Sequence, residues 1–138
     1  MTVYTEHFTI NSRGFTDIID ITQKVKSAVY QHNLKNGNVV VALPGSTASI
    51  TTIEYEPGLI KDFPDILDKI VPMERNYHHD DTWHDGNGYA HVRAALIGSS
   101  VTVPLIDGAL LLGTWQQIVL IDFDNKPRSR NIYVQIIT

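Results

Sequence analysis

The C-terminal third of the chain constrains the fold most. Ser100 to Ile106 is rich in β-forming residues, Asp107-Gly108 follows, and Ala109 to Leu112 starts a return strand. An Asp-Gly pair between apolar runs marks a two-residue hairpin, because both turn positions take positive φ and these residues tolerate it. Trp115 to Asp124 then reads as a strand, Asn125-Lys126-Pro127 as a turn, and Arg128 to Ile137 as its antiparallel partner. In that register Asp124 faces Arg128, Asp122 faces Arg130, Leu120 faces Ile132 and Ile118 faces Val134. Opposite charges directly across such a pair contribute roughly a few tenths of a kcal/mol.

The rest of the chain alternates between strand and helix signals. Val3 to Ile10 alternates with a period of two, setting Tyr4, Glu6, Phe8 and Ile10 on one face. Asn11 to Gly14 is turn chemistry, and Asp20 or Thr22 caps a helix running to about Asn33 with Ile21, Val25, Ala28 and Val29 as its apolar stripe. Val39 to Leu43 is a short apolar strand, and Thr47 to Tyr55 is a second β-rich run. Pro57-Gly58 opens a helix to about Val71, lined by Leu59, Ile60, Phe63, Leu67 and Ile70, with Pro64 a kink or a late start. Residues 88–97 form a short helix stopped by Gly98. The pattern predicts one α+β domain over residues 1–138, a sandwich-like antiparallel or mixed sheet with two to three helices.

Composition excludes several classes. With 43% apolar and 19% charged residues the chain is an ordinary globular sequence. No apolar run approaches the roughly 18 residues of a membrane span, and the N-terminus lacks the signature of a secretory signal. The absence of cysteine leaves no disulfide framework and fits a cytoplasmic protein. A net charge of −4 without a basic stripe argues against nucleic acid or anionic membrane as partner.

Three ordered blocks resemble the YjbQ-like family, the secondary thiamine-phosphate synthase group. The first is Pro44-Gly45-Ser46-Thr47-Ala48 with Ile53-Glu54-Tyr55-Glu56; the second is His79-Asp80-Asp81-Thr82-Trp83-His84-Asp85-Gly86-Asn87-Gly88 with Ala90-His91-Val92-Arg93-Ala94. The third runs from Ser100 through Gly113-Thr114-Trp115-Gln116-Gln117 to Ile118. The likeness covers residue 39 to the end, with two departures: many members carry His where this chain has Gly45, and His-Ser-His where it has Tyr89-Ala90-His91. The resemblance implies a sandwich-like α+β subunit assembled as a homotrimer. It also implies thiamine-phosphate synthesis as a secondary activity, joining a pyrimidine diphosphate to a thiazole phosphate with loss of pyrophosphate; fold alone does not decide that activity.

The chemistry-bearing residues concentrate between Tyr77 and Arg93. His79, His84 and His91 lie within thirteen positions, among Asp80, Asp81 and Asp85. Imidazoles with carboxylates suit a mixed nitrogen and oxygen site for zinc or manganese, with magnesium a third divalent candidate. The competing reading is that these groups bond loop backbone and cap the helix. His78 reads as exposed and incidental, and His7 and His32 have no supporting neighbours in sequence. The site expected is therefore His79, His84 and His91 as metal ligands, with His84, His91 and Glu54 as catalytic groups. Arg93, Asn87, Gln116 and Arg130 are the groups expected to hold substrate.

Each assignment has a structural competitor. Arg93 diverges by roughly 200° from the helix face of His91 and needs its length to reach a pocket edge or a neighbouring subunit. Arg130 with Arg128 offers phosphate a guanidinium fork, or pairs with Asp122 and Asp124 across the strands. Gln116 bonds a ligand or nearby backbone, Glu54 is an acid or base or a solvated strand end, and Asn87 caps the short helix. Trp115 belongs to the core or a subunit interface, or stacks on a substrate ring. Two functions follow: a metal-assisted enzyme acting on a small phosphorylated substrate, or a trimeric metabolite-binding accessory protein with structural histidines. The apolar runs Ile118–Ile121 and Ala109–Leu112 favour assembly, since two short helices would leave one sheet face uncovered.

Overall fold

Period-two alternation builds β1 (Val3–Ser12), with Tyr4, Glu6, Phe8 and Ile10 turned inward, in a computed structural model that describes residues 1–138. There follow β2 (Asp17–Asp20), α1 (Thr22–Tyr30), β3 (Gly37–Ala42), β4 (Ala48–Glu54) and α2 (Pro57–Ile70). The second half contains α3 (His78–Trp83), α4 (Gly88–Ile97), β5 (Ser100–Ile106), β6 (Ala109–Leu110), β7 (Gln116–Asp122) and β8 (Arg128–Ile137). No helix is long and apolar enough to cross a membrane.

The strands form two sheets, a five-stranded one in the order β1-β8-β3-β5-β6 and a three-stranded one in the order β2-β7-β4. Every pairing is antiparallel. A core of 18 buried side chains lies between the inner faces of the two sheets and α1, and includes Val25, Val41, Ile50, Leu120 and Val134. A second core of nine packs the outer face of the three-stranded sheet against α2 and α4, through Leu67, Tyr89, Ala90, Val119, Ile121 and Phe123. The α+β, sandwich-like fold is therefore as the sequence implies, with all-antiparallel sheets and four helices rather than two or three.

The hairpin expected between β7 and β8 does not form. β7 pairs with β2 and β4, whereas β8 pairs with β1 and β3 in the other sheet. Leu120 faces Ile19 and Ile50, and Ile132 faces Phe8. Residues 123–127 are thus a crossover between sheets. The expected ion pairs nevertheless exist, across the corner instead of along a ladder: Arg128 Nε donates to Asp124 Oδ2 at 2.8 Å and Arg130 Nε to Asp122 Oδ2 at 2.7 Å. The Asp107-Gly108 hairpin does form, with Ile106 opposite Ala109 and φ of 50° and 85° at the two turn residues.

Local caps explain the helix starts. Asp20 Oδ1 accepts from the Thr22 backbone N–H at 2.9 Å and from the Thr22 hydroxyl at 2.6 Å, while Thr22 Oγ1 accepts from Ile118 N–H at 2.9 Å. Polar side chains thereby fix α1 onto β7. Glu56 caps α2 by accepting from the N–H groups of Gly58 and Leu59, and the helix continues through Pro64.

β7 needs no second chain to cover it. Ile118, Val119, Leu120 and Ile121 are all fully buried within one chain, because one face meets the opposing sheet and the other meets α2 and α4. The argument for assembly from this run fails for that reason. Leu120→Ala and Ile121→Ala, one on each face, should each cost about 2–5 kcal/mol in denaturant unfolding. A cost near zero at either position would mean that its face is not packed within the chain.

Candidate functional site

The polar residues gather where β7 ends, β4 begins and β8 crosses over. Asp122 and Asp124 are both fully buried there. Asp122 accepts from Ser12 Oγ at 2.6 Å, from Arg130 Nε at 2.7 Å and Nη2 at 2.9 Å, and from the Asp124 N–H at 3.1 Å. Asp124 accepts from Arg128 Nε at 2.8 Å, the Asn125 N–H at 2.8 Å, Thr47 Oγ1 at 3.1 Å and Asn87 Nδ2 at 3.2 Å. Burial works to raise the Asp124 carboxyl, but the hydrogen bonds from Asn125, Asn87, Arg128 and Thr47 outweigh it and hold the group below its ordinary value.

Asn87 carries this network to the histidine segment. Its side chain goes to Asp124 and makes no capping bond, so the expected helix-capping role is not the one it fills. Asp80 caps α4 instead: its Oδ1 accepts the Gly88 N–H at 2.9 Å. The approach of α3 to α4 requires glycine at 88, since a Cβ there would sit 2.6 Å from Tyr77 Cβ. Two buried polar atoms have no partner in the chain, Asn87 Oδ1 and the Tyr89 hydroxyl. Burial, chiefly, pushes the Tyr89 hydroxyl up to about 12, with Arg93 opposing and Asp124 and Asp122 adding to the rise.

The close approach of α3 and α4 brings His79 and His91 together, with ring centroids 4.2 Å apart. His79 Nδ1 lies 3.4 Å from Asp80 Oδ1 and 3.6 Å from Asp85 Oδ1. One potential ligand atom from each of His79, Asp80 and Asp85 falls within 4.8 Å of the others. His91 also lines a cavity of about 310 Å³ with Gly45, Ser46, Ala48, Ala94, Ala95, Gly98 and Ser99. Burial, and then the neighbouring His79, hold the His91 imidazole below its ordinary value against the pull of Asp85, Asp124 and Asp80.

The expected histidine triad does not assemble as such. His84 ends α3 in a left-handed conformation, φ 57°, is exposed, and contributes no atom to the ligand group. Its backbone serves the turn, donating to Asp80 O at 2.8 Å. Asp85 and Asp80 take its place beside His79; both are visible in sequence, but only the α3 turn, too short and polar to be read as a helix, shows that they converge. His78 projects into solvent. His32 and His7 do have partners, distant in sequence: His32 bonds Glu6 at 2.9 Å, and His7 stacks on Tyr133.

Three other expected site residues lie elsewhere. Arg93 is only 1% exposed and is committed to the far side of α4: Nε and Nη2 donate to Val71 O at 3.0 and 2.8 Å, Nη2 to Asp68 at 2.7 Å and Nη1 to Thr16 at 2.9 Å. It anchors the end of α2 and is not free to hold substrate. Glu54 and Gln116 are exposed and face each other at the opposite end of the three-stranded sheet from Ala48 and Asp122. Six residue steps along the strand separate those ends, about 20 Å. Gln116 bonds Thr52 at 3.0 Å and the Gly113 N–H at 2.9 Å. Arg130 does adjoin the site, and Trp115, at 72% exposure, is not a core residue.

The comparisons with known proteins match this geometry to one family. The family described as UPF0047 protein YjbQ-like matches residues 6–138. A UPF0047 protein of Archaeoglobus fulgidus is 39% identical over 127 residues, covering 92% of this chain and 96% of the relative. UPF0047 protein YugU of Bacillus subtilis is 34% identical over 121 residues, 87% of this chain and 89% of its own. Among solved structures, a YbjQ-like protein from Sulfolobus solfataricus P2 superposes with a TM-score of 0.92 at 30% identity, covering 99% of this chain and 97% of that one. The chain belongs to the YjbQ-like UPF0047 family.

The carboxylate network has a pH consequence. A carboxyl whose folded value is depressed contributes stability that is fully present above its unfolded value, near 3.8, and is lost as pH falls through the folded one. Asp124→Asn should therefore destabilise at pH 7 by about 1–3 kcal/mol, leaving Arg128 with a neutral partner, and by less below pH 4. An equal loss at both pH values in denaturant melts would exclude this role.

Proposed function

We propose that the chain is a metal-assisted enzyme acting on a small phosphorylated substrate, with His79, Asp80 and Asp85 holding the ion and His91 at the wall of the adjoining cavity. The observation that carries this reading is the spacing of the donors. In a tetrahedral zinc site with bonds near 2.1 Å, neighbouring ligand atoms lie about 3.4 Å apart. His79 Nδ1 stands 3.4 and 3.6 Å from the two carboxylate oxygens. A mixed set of imidazole and carboxylate suits zinc or manganese more than magnesium. An ion there would supply charge to offset a leaving pyrophosphate or to activate water.

The chain's own contribution is positional. His91, kept neutral by burial near pH 7, accepts a proton at the cavity wall. Asp80 ties α3 to the start of α4, and Asn87 ties that start to Asp124. Family resemblance adds thiamine-phosphate synthesis as the specific reaction to assay, since both of its substrates are phosphorylated. A cytoplasmic setting fits the cysteine-free sequence. The accessory-protein reading is favoured by one observation, that Asp80 already serves as a helix cap, and it predicts no metal uptake.

Metal content of tag-free protein after zinc or manganese loading separates the two. His79→Ala and Asp85→Ala should each lower metal affinity by about tenfold or more, while His78→Ala and His84→Ala leave it unchanged. Metal loss in His84→Ala equal to that in His79→Ala would overturn the ligand assignment.

The partner we propose is a second and third copy of the chain. The outer face of the five-stranded sheet has rows such as His7–Tyr133–Ala42–Ser100 and Thr5–Gln135–Val40–Thr102, and no Asp, Glu, Lys or Arg on any strand. Depletion of charge marks interface cores. Light scattering at micromolar concentration should give about three times 15.5 kDa, and Tyr133→Asp should lower the mass toward the monomer. A wild-type mass of one chain would exclude the trimer.

A further inference from the structure

Arg130 is nearly enclosed, with its side chain 11% exposed, and two of its three nitrogens are committed. Nε and Nη2 bind the Asp122 carboxylate, and Nη2 also donates to Thr47 Oγ1 at 2.7 Å. Nη1 has no acceptor in the chain. It points toward Gly45, where an added Cβ would lie 3.3 Å away, so the guanidinium edge is reachable there because residue 45 has no side chain. Gly45 and Ser46 are in turn walls of the cavity that His91 lines.

The loop itself offers donors. Pro44 has no N–H, and the backbone N–H groups of Gly45, Ser46 and Thr47 lie between β3 and β4 and bond to no group in the chain. The hydroxyls of Ser46 and Ser99 line the same cavity and are likewise unengaged. The two arginines behind the loop are balanced by Asp122 and Asp124, so the unspent capacity is directional hydrogen bonding, not net charge. Free N–H groups beside a fixed guanidinium edge are donors suited to a tetrahedral oxyanion.

We propose that the Gly45–Thr47 loop, the Nη1 edge of Arg130 and the hydroxyls of Ser46 and Ser99 form a phosphate subsite, which seats the phosphoryl group of the substrate beside His91. This rests on the reading of the chain as an enzyme for phosphorylated metabolites, and it names where that group docks. The position matters chemically. An anion seated here leaves the rest of the substrate to extend along α4 toward His91, and the phosphate need not displace a metal ligand to bind.

The test uses full-length, chelator-treated protein, so that anion binding is read without metal. Calorimetric titration with inorganic phosphate, and separately with pyrophosphate, is compared with chloride at matched ionic strength. Wild type should bind at least one of the two saturably. Gly45→Val, whose side chain fills the approach to Nη1, should weaken that binding at least tenfold with an unchanged circular dichroism spectrum. Arg130→Lys, which keeps the charge but loses the fixed fork, should weaken it similarly, and Ser99→Ala by a few-fold. His79→Ala should retain phosphate binding even though it loses metal. Absence of saturable binding in wild type, or unaltered binding in both folded Gly45→Val and Arg130→Lys, would overturn the subsite while leaving the metal reading standing. Phosphate binding without any metal uptake would do the reverse.

Discussion

Two buried carboxylates hold this molecule together. Taking Asp122 and Asp124 out of water costs several kcal/mol each unless every oxygen finds a partner, and here every oxygen does. The partners come from β1 (Ser12), the loop before β4 (Thr47), the start of α4 (Asn87) and both arginines of β8. A chain whose consecutive strands β7 and β8 lie in different sheets needs some fixed corner, and an apolar corner would slide. Carboxylates that accept from four segments allow one arrangement. The consequence reaches function directly, because Asn87, with Asn125 donating to the Asp85 carbonyl at 2.8 Å, ties the histidine loop to that corner.

The three-stranded sheet is the middle layer, and that position explains the two cores. Its central strand β7 reads as a continuous apolar run because one face meets the larger sheet and the other meets α2 and α4. Arg93 belongs to this packing. Buried over Tyr89 and bonded to the carbonyl of Val71, it closes the end of α2 onto α4. The five-stranded sheet has no such outer layer, and its outer face carries uncharged side chains only.

Much of this was legible in the sequence, and the misses have specific causes. The Asp107-Gly108 turn, the alternation of β1 and the stop at Gly98 are local signals, and the folded chain keeps them. The expected β7–β8 hairpin does not form, and register within a strand pair cannot distinguish a tight turn from a five-residue crossover. Asp122–Arg130 and Asp124–Arg128 were nevertheless the right partners, since complementary charges flanking a turn meet in either geometry. His79 and His91 were readable as neighbours by type and spacing. That His84 turns away depended on a left-handed residue ending a six-residue helix, which carries no periodic signal. Glu54 and Gln116 lie at the far end of their sheet from the histidine loop, and sequence motifs do not show which end of a sheet a residue occupies.

The central claim is that His79, Asp80 and Asp85 converge on one ion beside His91. Anomalous diffraction at the zinc edge from zinc-soaked crystals examines that point itself. The account predicts a single strong peak with the His79 nitrogen and carboxylate oxygens at about 2.0–2.2 Å. No peak at this position, or a peak whose nearest imidazole is His84, would contradict it.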